Sequence, residues 1–305
     1  MQSIVSIARL VAVVAAGVFG SQVVCAMTPL ADADLQAVRG AGMAYNLQNF
    51  SFTGDVGLTY QGAPGQKIEL NKLTFSRSDD PAATFSDPYT FKLYSRAGMA
   101  DVVQWTAPQN ANGLLKWQFA TDWKITTPDS VFDGCSLIVR DFQNFGSRFE
   151  ITTPSAAGTQ GMAWGSAVRV SIGDVLIRPR GRDDMSNPDA PGATNQLRIQ
   201  GIHISSATDS NAPWVLADVT AQPGILNAVT ENGQSYLHLG IGWATNPDVE
   251  TPAGKVVVDN ITFRNNAPTY MDPMTGAATN TLNLGSSSIG SMQIQYLDLK
   301  MHAGR

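Results

Sequence analysis

Leu197-Arg198-Ile199-Gln200-Gly201-Ile202-His203-Ile204 carries apolar residues at its first, third, sixth and eighth positions, with a Gln-Gly dipeptide between the two pairs. In a flat strand successive side chains point to opposite faces, so Leu197 and Ile199 would face one side and Ile202 and Ile204 the other. Both pairs can cover one core only if the dipeptide inserts a bulge or turns a corner. The same pattern begins at Tyr45 (YNLQNFSF), Ile68 (IELNKLTF), Val170 (VSIGDVLI), Val256 (VVVDNITF) and Met292 (MQIQYLDL), with a weaker copy at Leu137 (LIVRDFQN). The middle dipeptide holds Gly, Asn or Asp in five of the six full copies, and these residues tolerate irregular backbone.

Starts of the six copies lie 23, 102, 27, 59 and 36 residues apart, too unevenly for a regular solenoid. Charged residues make up 15% of the chain while 28 glycines punctuate it, a balance suited to short strands and turns. The expectation is an all-β fold: a large, mainly antiparallel β-sandwich or jelly-roll-like domain with bulged strands over residues 45–305, divisible into two subdomains. An irregular β-solenoid is the alternative. Residues 79–88, 178–194 and 265–281 read as surface loops. Gly285-Ser286-Ser287-Ser288-Ile289-Gly290 reads as a flexible turn between strands.

The chain opens with Arg9, an apolar run from Leu10 to Phe19 and small residues before Met27. This is the layout of a secretory signal over residues 1–26, with cleavage between Ala26 and Met27. The apolar run is shorter than the roughly 20 residues of a membrane-spanning helix, and no later stretch approaches that length. A rival cut would make Cys25 the lipidated first residue, although Val24 before it is larger than lipidation favours. After cleavage Cys135 is the only cysteine, so no intramolecular disulfide can form. Residues 27–44 read as a short helical motif, with Asp32 or Asp34 as cap and Gly40 as terminator.

Net charge is −5 without basic clusters, which argues against nucleic acid as a partner. His203, His238 and His302 stand in or beside strands, without the spacing of a metal site. Gly285–Gly290 is one residue too long for a nucleophile elbow and does not precede a helix. Asp183, Asp184 and Asp189 share a loop with Arg178, Arg180 and Arg182, which makes mutual neutralisation simpler than a carboxylate pair or a calcium site. Trp105, Trp117, Trp123, Trp164, Trp214 and Trp243 could include a sugar-stacking surface, although large aromatics in β proteins are mostly packed. The sequence therefore assigns no catalytic residue, no cofactor site and no metal site.

Pro29-Leu30-Ala31-Asp32-Ala33-Asp34-Leu35-Gln36-Ala37-Val38-Arg39-Gly40-Ala41-Gly42 resembles a short motif of exported, β-rich bacterial proteins, some of them labelled pilus-assembly proteins of the Fil type. Residues 259–263, Asp-Asn-Ile-Thr-Phe, resemble the final strand of carbohydrate-binding jelly rolls. The first resemblance implies a non-enzymatic cell-envelope or surface protein acting in pilus or filament assembly or adhesion. Its location would be the periplasm, the outer-membrane surface or the extracellular space, and its partners other envelope or surface proteins, with glycans as a further class. The alternative is a carbohydrate-binding jelly-roll module or a secreted glycan-active enzyme.

Overall fold

A computed structural model describes residues 42–302 apart from 48–49, 60–64, 80–86, 96–99, 155–159, 180–194, 245–250 and 266. Signal segment and helical motif up to residue 41 lie outside the described residues. From Met43 onward the chain is all strand and loop, with no helix among the described residues. The nineteen strands are β1 Met43–Tyr45, β2 Ser51–Thr59, β3 Lys67–Arg77, β4 Tyr89–Tyr94, β5 Val102–Thr106, β6 Trp117–Thr126, β7 Val131–Asn144, β8 Arg148–Thr152, β9 Met162–Val168, β10 Val170–Arg178, β11 Gln196–Ser206, β12 Trp214–Ala217, β13 Gly224–Glu231, β14 Gln234–Ile241, β15 Gly254–Arg264, β16 Tyr270–Met271, β17 Ala278–Thr279, β18 Thr281–Met292 and β19 Leu297–Met301.

Sheet A follows the order β1-β4-β5-β8-β9-β13-β14-β19, with β12 branching from β9. Sheet B follows β18-β15-β11-β10-β7-β6-β3-β2, and β16 and β17 form a small hairpin. Neighbours in sheet B pair antiparallel throughout, and neither large sheet closes into a barrel. Antiparallel pairing removes the solenoid alternative and leaves the sandwich.

The doubled apolar pattern becomes a crease across sheet B. Ile172 pairs with Ile202 and Asp174 with Gln200, so Gly173 and Gly201 are passed over together. Asp141 on β7 and Asp259 on β15 are passed over at the same level. Toward the two edges the register shifts between Gly54 and Val56, Asn71 and Thr74, and Val258 and Ile261. Left-handed backbone falls at Lys72 (φ 50°), Asp141 (φ 54°), Gly201 (φ 62°) and Gly285 (φ 76°), on every second strand of the sheet. With one residue passed over, Ile172 and Val175 share a face, as do Ile199 and Ile202. Cross-strand pairs Val170–Ile204, Ile172–Ile202, Val175–Ile199 and Ile177–Leu197 thus form one apolar ladder, which continues into β15 through Val256, Val258, Ile261 and Phe263.

Two copies of the pattern turn corners instead. The Tyr45 copy runs from β1 of sheet A into β2 of sheet B, and the Met292 copy from β18 of sheet B into β19 of sheet A. The expected flexible turn at Gly285–Gly290 is corrected: these residues lie within β18, and Gly285 supplies that strand's left-handed crease position. The expected loop at 265–281 contains the β16–β17 hairpin. The strand carrying Asp259–Phe263 is interior, between β11 and β18, rather than terminal.

Apolar sides of the two sheets meet around Tyr89, Ala107, Leu115 and Trp117, packed by Tyr45, Phe50, Phe75, Trp105 and Phe142. Phe75 stacks on Trp117 at 4.9 Å and Tyr45 on Tyr89 at 5.3 Å, and offset stacking adds to area burial. The indole N–H of Trp117 donates to the Tyr89 hydroxyl at 3.3 Å and that of Trp105 to the Tyr45 hydroxyl at 3.0 Å. Burial is the first cause holding the Tyr89 hydroxyl above its ordinary pKa, opposed by the Trp117 bond. A second junction brings the Trp214 ring so close to Gly254 that a Cβ there would overlap it. Sheet-to-sheet connections lie at this end, the shortest being Arg169 alone between β9 and β10.

Candidate functional site

Beyond the crease-side junction, many side chains of the apolar ladders remain in contact with water. On sheet A, Leu93 is 52% exposed and Leu237 50%, with Phe91, Val103, Leu299 and Met301 also exposed. On sheet B the exposed set includes Ile68, Phe132, Leu282, Ile289 and Leu284, the last at 58%. Leu237 pairs with Met301, Leu93 with Val103 and Phe91 with Met43, all exposed, so exposure runs along cross-strand neighbours rather than at isolated spots. Contiguous apolar surface of this kind marks association sites in soluble proteins.

Sheet B also bears a groove of about 490 Å³ at the end where Arg169 enters it. Strand register builds its floor: Gln143 pairs with Ser171, Ser171 with His203, His203 with Val257 and Ser205 with Lys255. Arg169, from the one-residue connection, lies over the Phe145 ring at 4.9 Å and donates to the Ser210 carbonyl and the Asn211 side chain. Lys255 Nζ donates to Ser210 Oγ at 2.7 Å. The two cations are therefore oriented by the loop after β11, and the rest of the lining mixes hydrogen-bonding groups with Phe145, Val170, Ile204 and Val257. Such a lining suits a ligand that combines an apolar face with hydroxyls or a carboxylate.

Ser171, His203 and Asp259 bring the side-chain types of a hydrolytic triad to one region. Their arrangement does not reproduce its order. Asp259 Oδ2 lies 3.6 Å from His203 Nε2, the nitrogen that a triad histidine turns toward its serine. The other histidines are elsewhere. His238, on sheet A, contacts Asn227 Oδ1 through Nδ1 at 2.8 Å and Asp298 Oδ1 through Nε2 at 3.1 Å, and His302 meets the Tyr236 ring edge-on. His203 and His238 occupy different sheets, and no group of three or more potential metal-binding side chains occurs among the described residues. Asp183, Asp184 and Asp189 lie outside the described residues. Arg178 is buried and donates to Gln196 Oε1 at 2.9 Å, with burial first and then the Arg140 charge lowering its pKa. Cys135 is a free, half-buried thiol.

The six tryptophans separate sharply. Trp117 and Trp214 are buried, while Trp105, Trp123 and Trp164 are half-buried against neighbouring rings. Trp243 alone among them is strongly exposed, at 64%, stacked on Tyr296 with ring centroids 5.5 Å apart and planes 18° apart. Its place directly after Gly242, beyond the end of β14, accounts for that exposure, but as sequence Trp243 reads like the other five. Arg169 and Lys255 had no sequence signal either, because their convergence depends on the register of four strands.

Comparison with protein-family models, curated proteins and solved structures finds no match.

Proposed function

We propose that this protein is an exported, non-enzymatic component of the cell envelope or surface that acts by associating with other proteins in filament assembly or adhesion. The observation carrying this reading is the exposed apolar surface through Leu93, Leu237 and Leu299 on sheet A and Leu282, Leu284 and Ile289 on sheet B. Leaving such surface in water costs about 25 cal/mol per Å², and a partner that covers it recovers that energy. The signal-like N-terminus and the Pro29–Gly42 resemblance support an envelope location.

Photo-crosslinking in the native host tests it, with a photoreactive residue at Leu237 or Leu284 and a control at exposed Glu231 in separate chains. The expected result is envelope-fraction adducts from the first two positions only. A mature chain confined to the cytoplasm, or equal labelling from all three positions, would overturn the proposal.

A second reading, glycan binding, is favoured by the Trp243–Tyr296 shelf, whose parallel exposed rings match the apolar face of a sugar. Glycan-array binding lost on Trp243→Ala and kept on Trp164→Phe supports it. No binding above background, or binding unaffected by Trp243→Ala, refutes it.

A further inference from the structure

Sheet B ends on two strands whose outer edges meet no other described strand: β18, twelve residues, and β2, nine residues. Edges of this length are usually blunted by lysine, proline or a local bulge that excludes a partner. Thr281-Leu282-Asn283-Leu284-Gly285-Ser286-Ser287-Ser288-Ile289-Gly290-Ser291-Met292 contains no charge and no proline, and β2 contains a single charge, Asp55. Each carries the crease, as does every strand between them, and β18 adds a register shift between Ile289 and Met292 near its C-terminal end, which leaves the stretch from Thr281 to Ile289 as its pairing edge. A flat strand added at either edge would fall out of register at the middle. A strand creased at the same level would not.

The crease also has a phase. Left-handed residues occur on β18, β11, β7 and β3, and the strands between, β15, β10, β6 and β2, have none. One edge of the sheet is therefore of the left-handed kind and the other is not. Two β18 edges brought together would place like beside like, as would two β2 edges, a juxtaposition found nowhere inside the sheet. A β2 edge against a β18 edge continues the alternation. Direction agrees as well: strands alternate along this eight-stranded antiparallel sheet, so β2 and β18 run oppositely, and a second copy placed by translation meets the first antiparallel.

We infer that sheet B polymerises head to tail, β2 of one copy pairing antiparallel with β18 of the next and Asp55 opposite Gly285–Ser286. Inside one copy the Lys72 N–H already donates to Asp55 Oδ1 at 2.6 Å, so the β2 crease is held ready by its own neighbour. A Cβ built at Gly285 meets nothing within 4 Å, so no neighbouring side chain packs over the β18 crease at that position. The contact is heterologous, and a heterologous contact that does not close into a ring gives a filament. This inference rests on the reading that the protein acts by association, and it names the partner as a second copy of the chain.

The test uses the full mature chain with Cys135→Ser, carrying Thr53→Cys in one preparation and, at the position opposite it in this register, Ser287→Cys in another, with a short bifunctional thiol crosslinker. Neither preparation alone is expected to give a covalent dimer, their mixture is expected to give one, and a chain carrying both cysteines is expected to give a ladder. Without crosslinker, sedimentation should shift from monomer to long species as concentration rises. A covalent dimer from either single-cysteine preparation alone, or no dimer in the mixture, overturns head-to-tail pairing. Envelope adducts at Leu237 in a protein that stays monomeric would overturn it while leaving the broader association reading intact.

Discussion

Replacing Gly201 by alanine tests whether the crease is a required backbone feature or a tolerated irregularity. Gly201 sits at φ 62°, where an L-residue costs about 1–2 kcal/mol. The added methyl would also crowd the Asp259 side chain, lying 2.8 Å from its Cβ and closer still to its carboxylate. Asp259 cannot relieve this by rotating only its far end, because its Cβ is fixed to the β15 backbone, and overpacking of this sort costs about 1–3 kcal/mol. Together the terms predict a loss of about 3 kcal/mol, or roughly 1–2 M in urea midpoint for a slope of about 2 kcal/mol/M. Equilibrium urea unfolding followed by tryptophan fluorescence reads this directly.

Gly233→Ala is the internal control. Gly233 has φ 76° and nothing within 4 Å of its Cβ position, so only the conformational cost of about 1–2 kcal/mol applies. Asp259→Gly, which removes the Asp259 Cβ together with its carboxylate, should likewise lower the cost of Gly201→Ala to that conformational part, a coupling that a double-mutant cycle isolates. A Gly201→Ala loss no greater than that of Gly233→Ala, or one unchanged by Asp259→Gly, would refute the crowding described here.

Three further outcomes follow from the packing. Asn110 is buried and bonds the Leu115 N–H through Oδ1 and the Leu115 carbonyl through Nδ2, both at 3.0 Å, so Asn110→Ala should cost about 2–4 kcal/mol by chemical unfolding. Burial raises the Tyr89 pKa, so its stabilising contribution is complete below the ordinary tyrosine value and is lost as pH rises through the raised folded value. Absorbance titration should therefore show one late-ionising tyrosine, absent in Tyr89→Phe. Asp272 is shifted the other way, chiefly by the backbone N–H groups of Thr275 and Met274, so its contribution is present above the ordinary carboxylate value and is lost as pH falls through the lowered one. NMR titration of the Met274 and Thr275 amides should move together at that lowered value and stay flat in Asp272→Asn.

The crease was legible in sequence because its signal is local: two apolar pairs around a dipeptide, as in Gln200-Gly201 and Gly173-Asp174, can share a face only with an extra residue. What the sequence did not disclose was which copies bulge and which turn a corner. Asn71-Lys72 and Gln295-Tyr296 hold the same place in the pattern, yet the first lies inside β3 and the second in the passage from sheet B to sheet A. Pairing partners decide that, and they lie far along the chain. The serine-rich run at Gly285–Gly290 misled for the same reason, since its composition suits a turn while β15 recruits it as a strand. Of the candidate sites, Trp243 was one of six tryptophans that the sequence left equivalent until their exposure was known, and the groove joins Gln143, Ser171, His203 and Lys255 only after four strands align.

Handedness that alternates strand by strand also acts as a proofreading mark during folding. Long antiparallel strands with repetitive aliphatic faces, such as β10, β11 and β15, could slide by two residues and still bury apolar side chains. A slide would move Gly201 away from Gly173 and Asp259, the positions passed over at its level, and so break the backbone ladder on both flanks at once. Because each passed-over position lies level with another on the next strand, each correct pairing supplies the template for the next, and the chain carries its alignment key in the backbone itself.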